Sequence, residues 1–464
     1  MRRFSVVGLG KLGACMAPAI ASRGFPVIGV DVDERVVECL NDGRAPVHEP
    51  GLEKLIVDNR ERLRATTSHD EAVASSDVTF VVVPTPSDEN GGFSIEYVAS
   101  ALRAIGRALA AKDRYHTVVL TSTVLPGSTR LGLLPILEEE SGKTCGEHFG
   151  LCYSPEFIAL GTVIRDFLNP DFLLVGESDP RAGDELESCY SEIVLNGAPC
   201  KRMSFENAEL AKIALNAYVT TKITFANTLA DLCERLPGGD VDVVTDAIGL
   251  DRRVGRAYLT GGLGFGGPCF PRDNLALSYV AATLGTKAEL AETTQRVNEK
   301  LVERVLDHVR PYIEPETTAA VLGLAYKPRS NVIEESQGLA IARRLAGLGA
   351  SVVGYDPLVR ALASSDADGG VLLSESLRDC LSAEVVIVAN PEPEFHTLHA
   401  ADFVAGGTRV VIDCWRILES EVAEEPRLDY VGLGRGNQET AGKRGPGIAP
   451  VRGASGTRAV AESR

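Results

Sequence analysis

Short apolar runs, each closed by glycine, proline or a polar turn, alternate along this chain with stretches of helical spacing. "FSVV" leads into "GLGKLG", and "ACMAPAIASRG" then keeps a helical period as far as Gly24. "FPVIGVDVD" is a second strand, closing on Asp31. "VTFVVVPTP" (78–86), "TVVLTSTV" (117–124) and "DFLLVGE" (171–177) follow, with helical segments between them. Continuous apolar runs of this kind suit parallel strands buried on both faces of a sheet.

The middle of the chain changes character. "FENAELAKIALNAYVTTKITFANTLADLCE", from Phe205 to about Arg235, holds neither glycine nor proline. It predicts one helix longer than usual, bridging domains or forming a dimer core. Helices continue to about Tyr312. "TAAVLGLAYKP" (318–328), "SQGLAIARRLAGLG", "ASVVGYDP", "EVVIVAN" and "RVVIDCW" then repeat the strand–helix–strand theme. The expected fold is α/β: two Rossmann-like, doubly wound parallel-sheet domains joined by a long central helix. The expected boundaries are 1–204, 205–312 and 313–434, with a disordered tail at 435–464 that is rich in glycine, alanine and arginine.

Composition narrows the function classes. The 464 residues are 44% hydrophobic and 24% charged, ordinary for a globular protein. No apolar run reaches the roughly 18 residues of a membrane span, and the N-terminus lacks a signal-peptide core. The expected location is cytoplasmic. A net charge of −17 argues against nucleic-acid or anionic-membrane partners. The ten cysteines show no CxxC and no zinc spacing, so no metal is expected and the thiols should be reduced.

Against that background two motifs carry chemistry. The first is strand, Gly8-x-Gly10-x-x-Gly13, helix, strand, Asp31. Gly8 permits the tight turn, Gly10 lets the backbone approach a pyrophosphate, and Gly13 lets helix pack on strand. Asp31 suits ribose hydroxyls and would repel a 2′-phosphate, so the expected cofactor is NAD. Ligands in such sheets lie beyond the carboxyl ends of the strands. Pro84-Thr85-Pro86, Ser122-Thr123 and Pro155-Glu156 stand at that edge, with Pro84, Thr85 and Thr123 on the cofactor side. Lys327 follows the first strand of the second unit, where another cleft is expected.

The second motif is "GGLGFGGPCFPRD" (261–273), which presents Cys269 among glycines with Asp273 four residues on. Oxidising an alcohol to a carbonyl needs no nucleophile, but oxidising the aldehyde onward to an acid does. A thiolate adds to the aldehyde, the hemithioacetal gives up a second hydride, and the thioester is hydrolysed. Asp273 and Glu156 could manage water and protons. Lys212 and Asn216, one turn apart in the long helix, could hold the oxyanion.

At these residues the chain resembles the nucleotide-sugar 6-dehydrogenases, the UDP-glucose/GDP-mannose 6-dehydrogenase family. The ordered motifs are "GLGKLG", "HEPGL" (48–52), "VPTP", "TSTVLPGST" (121–129), "SPEF" (154–157), "AKIALNAY" (211–218), "GFGGPCFPRD" and "GLAYKP". The resemblance implies Cys269 as nucleophile, Lys212 and Asn216 at the oxyanion, Asp273 ordering water, and Glu156 with Thr123 in thioester hydrolysis. It implies substrate contacts at Phe157, Lys212, Asn216, Arg253, Tyr258, Gly266 and Lys327, with Arg253 reaching into a neighbouring subunit. It implies a UDP-binding third domain, a homodimer or higher oligomer built on the long helix, and conversion of UDP-glucose to UDP-glucuronate for polysaccharide synthesis. GDP-mannose and UDP-N-acetylhexosamines are the alternative substrates. A two-electron hydroxyacid-type dehydrogenase and a non-catalytic NAD sensor are the readings from other classes. Three positions depart from the family pattern: Leu160 replaces an acid, Glu334 stands where an arginine is usual, and Arg272 replaces a lysine.

Overall fold

The computed structural model describes residues 1–359, 362, 369–418 and 420–436. Eight strands form the first sheet: β1 (Phe4–Val7), β2 (Val27–Val30), β3 (Leu63–Thr66), β4 (Val78–Val81), β5 (His116–Leu120), β6 (Phe149–Tyr153), β7 (Leu173–Glu177) and β8 (Cys200–Met203). Their order is β3-β2-β1-β4-β5-β6-β7-β8. Every residue of β1, β2, β4 and β5 is buried, because helices cover both faces. The order reverses beside β1, which opens a crevice at its carboxyl end.

One strand departs from expectation. β7 was expected to be parallel from its apolar run, yet it pairs antiparallel with β6, Cys152 opposite Glu177. A strand buried on both faces reads the same in either direction, so hydrophobicity could not reveal this. The first sheet is therefore mixed at that one pairing.

The second sheet is parallel throughout: β9 (Thr318–Leu322), β10 (Ser351–Tyr355), β11 (Val371–Leu373), β12 (Val385–Val388), β13 (Val410–Asp413) and β14 (Asp429–Gly432), ordered β11-β10-β9-β12-β13-β14.

A single helix, Phe205–Arg235, joins the two units. Ser204 caps it by accepting from the Asn207 N–H, and Pro237 follows its end. Its 31 residues make a rod about 46 Å long. Glu209, fully buried within it, accepts from the N–H groups of Gly127 (2.6 Å) and Thr129 (2.8 Å), which pins the rod to the first sheet. Arg416, which follows the fifth strand of the second sheet, ties that sheet to the short helix Val241–Gly249 and to the cysteine loop. Its buried side chain pairs with Asp242 at 2.7 Å and donates to the Gly261 carbonyl at 2.7 Å, where the cysteine loop begins.

No helix among the described residues is long and apolar enough to cross a membrane. The expected disordered tail lies outside the described residues, except for Arg435 and Gly436; Arg435 pairs with Asp240 at 3.3 Å.

Candidate active site

The turn after β1 is built for close approach. Gly8 has φ +94°, and a Cβ there would collide with the Val82 carbonyl. A Cβ on Gly13 would collide with the Gly8 carbonyl. Gly10 is different, because a Cβ there would meet nothing within 4 Å. It faces a cavity of about 750 Å³, lined also by Asp31, Pro84, Thr85, Thr123, Glu156 and Arg272. Asp31 is fixed at the end of β2 by the Leu9 N–H (2.7 Å) and the Asp33 N–H (3.0 Å). The volume, the open face at Gly10 and the acid at the far end fit a dinucleotide. Two buried polar atoms of residues lining this space, Thr121 Oγ1 and Arg272 Nε, have no hydrogen-bond partner among the described residues and are available to a ligand.

Cys269 occupies the N-cap position of the helix Phe270–Thr283 and is exposed. The glycines before it have a use the sequence did not suggest. A Cβ on Gly266 would collide with the Glu335 carbonyl, and one on Gly267 with the Tyr326 ring. They admit the third unit's backbone and ring against the cysteine loop, in addition to leaving the thiol open.

The long helix and the cysteine helix bring the predicted polar residues together. Lys212 Nζ donates to the Glu156 carbonyl at 2.6 Å and stands 4.6 Å above the Phe157 ring. Asn216 Nδ2 donates to Asp273 Oδ2 at 2.6 Å. Burial lowers the Lys212 ammonium, opposed by the charges of Asp273, Cys269 and Glu156. Burial raises Asp273, opposed chiefly by Lys212 and Asn216. It pushes Glu156 up to about 7, against the pull of Lys212. The Cys269 side chain reaches solvent, yet the protein crowds its sulfur enough to raise the thiol. Asp273 adds to that rise, while Lys212 and Arg272 oppose it.

The cofactor side and the thiol side are physically joined. Thr85 Oγ1 donates to the Thr123 carbonyl at 2.8 Å, and Arg272 donates to Thr85 Oγ1 at 2.9 Å. The Arg272 guanidinium lies 3.8 Å over the Phe93 ring. Lys327 is half-buried near Cys269, Asp166 and Glu49, and burial lowers it. Tyr258 has φ +60° and sets its ring edge-on to Phe270 at 6.3 Å. Arg253 stands apart: its side chain is 89% exposed and held by Asp251 at 2.7 Å. Two residues went unassigned in the sequence. Arg272 links the two halves of the site, and Glu49 of "HEPGL" accepts from the N–H groups of Gly161 (2.9 Å) and Val163 (2.8 Å), fixing the loop after "SPEF". Among the described residues no group of histidine, cysteine and acidic side chains could hold a metal.

Comparison with known proteins agrees with this geometry. Models of the UDP-glucose/GDP-mannose dehydrogenase family match three consecutive regions: the NAD binding domain at residues 2–194, the central domain at 206–300 and the UDP binding domain at 320–420. UDP-glucose 6-dehydrogenase AglM of Haloferax volcanii is 38% identical over 435 residues, covering 93% of this chain and 99% of the relative. GDP-mannose 6-dehydrogenase of Pseudomonas putida is 35% identical over 411 residues, covering 85% and 92%. The structure of a UDP-glucose dehydrogenase from Pyrobaculum islandicum superposes with a TM-score of 0.84 at 36% identity, covering 94% of this chain and 98% of that one. The chain thus belongs to the UDP-glucose/GDP-mannose dehydrogenase family and is an NAD-dependent nucleotide-sugar 6-dehydrogenase.

Proposed function

We propose that the enzyme oxidises the C6 hydroxyl of UDP-glucose to a carboxylate, giving UDP-glucuronate, through a thioester on Cys269. NAD, bound in the cradle around Gly10, supplies the hydride acceptor twice per sugar. The observation that carries the reading is the cluster around Lys212, whose ammonium interacts with Asp273, Glu156 and the exposed Cys269 thiol, while Asn216 binds Asp273. The first oxidation removes a hydride from C6 and a proton from its hydroxyl, leaving an aldehyde. The Cys269 thiolate adds to that carbonyl carbon. Lys212 and Asn216 donate to the oxygen that gains charge, in a site where burial strengthens both contacts. Loss of the second hydride leaves the thioester. Asp273 and Thr123 hold a water, Glu156 takes its proton, and attack on the thioester releases the carboxylate and restores the thiol.

Two findings favour the UDP-glucose substrate: the matched UDP binding domain, and the identity to the Haloferax and Pyrobaculum enzymes. GDP-mannose is the second reading, favoured by the Pseudomonas relative at 35% identity. Steady-state assays with both sugars separate them. A kcat/KM for GDP-mannose above that for UDP-glucose reverses the assignment.

The same reading makes the enzyme a dimer or higher oligomer. Tyr218, Phe225 and Leu232 recur every seven residues along the long helix and are 60%, 51% and 58% exposed. Such a stripe on one helix suits a second copy of the chain. Arg253, exposed and held by Asp251, would then serve the neighbour's site. All ten cysteines are free, in keeping with a cytoplasmic enzyme.

A further inference from the structure

The segment from Tyr326 to Ser336 forms a strap from the third unit across the cysteine loop. Its first seven residues are drawn into a turn by the Tyr326 N–H, which donates to the Val332 carbonyl at 2.9 Å. It is fastened to the loop by the Gly267 N–H, which donates to the Glu334 carbonyl at 3.1 Å. The Glu335 carbonyl fills the space where a Cβ on Gly266 would stand. Glu335 is bent to φ +51°, after which Ser336 caps the next helix. These contacts hold the Glu334 backbone beside Cys269. The Glu334 carboxylate is exposed, has neither a hydrogen bond nor an ion pair among the described residues, and acts electrostatically on the Cys269 thiol and the Arg272 guanidinium. Glu334 is also where the chain reverses the charge of the family pattern.

The groups facing the thiol divide by sign. Lys212 of the long helix, Arg272 of the cysteine helix and Lys327 of the strap are the cations. Asp273 and Glu334 are the carboxylates, and the neutral Tyr326 phenol lies beside them. Asp273 is already bound to Asn216 and belongs to the proposed hydrolysis. Glu334 has no part in that chemistry.

We propose that Glu334 is a positioning residue acting through Cys269: its carboxylate, carried on the strap that is fastened to the cysteine loop at Gly267, makes the thiol a weaker nucleophile near neutral pH. The inference rests on Cys269 being the nucleophile. A nearby negative charge disfavours the thiolate, so Glu334 shifts thiol reactivity toward alkaline pH. Because the carboxylate is solvated, added salt weakens the effect.

The test is the alkylation rate of Cys269 by iodoacetamide from pH 6 to 10. It is read by mass spectrometry of the Cys269 peptide, in the wild type, Glu334→Gln and Glu335→Gln. Glu335→Gln removes the same charge from the neighbouring residue and serves as the control. The expected result is a midpoint about half a pH unit lower in Glu334→Gln, with alkylation at pH 7 about 3-fold faster. The gap should close in 1 M salt, and Glu335→Gln should follow the wild type. A Glu334→Gln curve that overlies the wild type overturns the proposal, as does an equal shift in Glu335→Gln. Alkylation needs no turnover. A wrong nucleophile assignment would show separately, as NADH production surviving in Cys269→Ser.

Discussion

At the scale of single residues, the site works through burial set against local charge. Glu156 is held at about 7 because desolvation outweighs the attraction of Lys212. As a base it must be ionised, so hydrolysis should gain rate as pH rises through about 7. Glu156→Gln should abolish that limb of the kcat profile and lower kcat roughly 100-fold or more. It should also leave a burst of two NADH per site, with the thioester visible as added protein mass. A variant that keeps the limb at full amplitude would take Glu156 out of hydrolysis. Cys269, Lys212, Asn216, Asp273 and Glu156 were legible in the sequence because each sits in a short motif. The bridge from Thr123 through Thr85 to Arg272 was not legible, because it joins segments far apart in sequence by hydrogen bonds that leave no local pattern. Glu49 escaped for the same reason: its two acceptor bonds reach across to Gly161 and Val163.

At the scale of elements, the glycine turn separates fold from binding. Gly13→Ala drives a methyl into the Gly8 carbonyl and should cost about 1–3 kcal/mol of stability in urea unfolding. Gly10→Ala meets no protein atom, so its stability should stay within about 0.5 kcal/mol of wild type. Its methyl nevertheless occupies the cradle, and NAD affinity by calorimetry should fall at least about tenfold, as a loss of roughly 1.4 kcal/mol requires. Normal NAD affinity in Gly10→Ala would move the pyrophosphate elsewhere. The sequence marked the long helix from Phe205 to Arg235 because an unbroken amphipathic run has few other outcomes. It missed β3, β6 and β8 of the first sheet and β11 and β14 of the second. The runs of β3 and β8, "LRAT" and "CKRM", carry charge at solvent-facing edge positions, so their apolar signal is thin. The antiparallel direction of β7 was hidden because a doubly buried strand looks alike either way.

At the scale of the whole molecule, the order of motifs disclosed the two sheet units and the helical link. Their fastening was not disclosed: Arg416 and the strap over the cysteine loop act through buried contacts between distant segments. The proposed exchange of Arg253 between subunits makes a mixing prediction. Arg253→Ala and Cys269→Ser, each nearly inactive, are unfolded and refolded together in equal amounts. Mixed dimers then hold one complete site, so activity should recover to about one quarter of wild type. No recovery, with mixed dimers demonstrated by mass, would mean that Arg253 acts within its own chain or not at all.

The central claim is that one thiol carries a four-electron oxidation. The most direct measurement is the NADH formed per UDP-glucose at limiting sugar, in the wild type and in Cys269→Ser. The account predicts two NADH per sugar, with that yield lost in the variant. One NADH per sugar in both proteins would contradict it, leaving an alcohol dehydrogenase in which Cys269 takes no part.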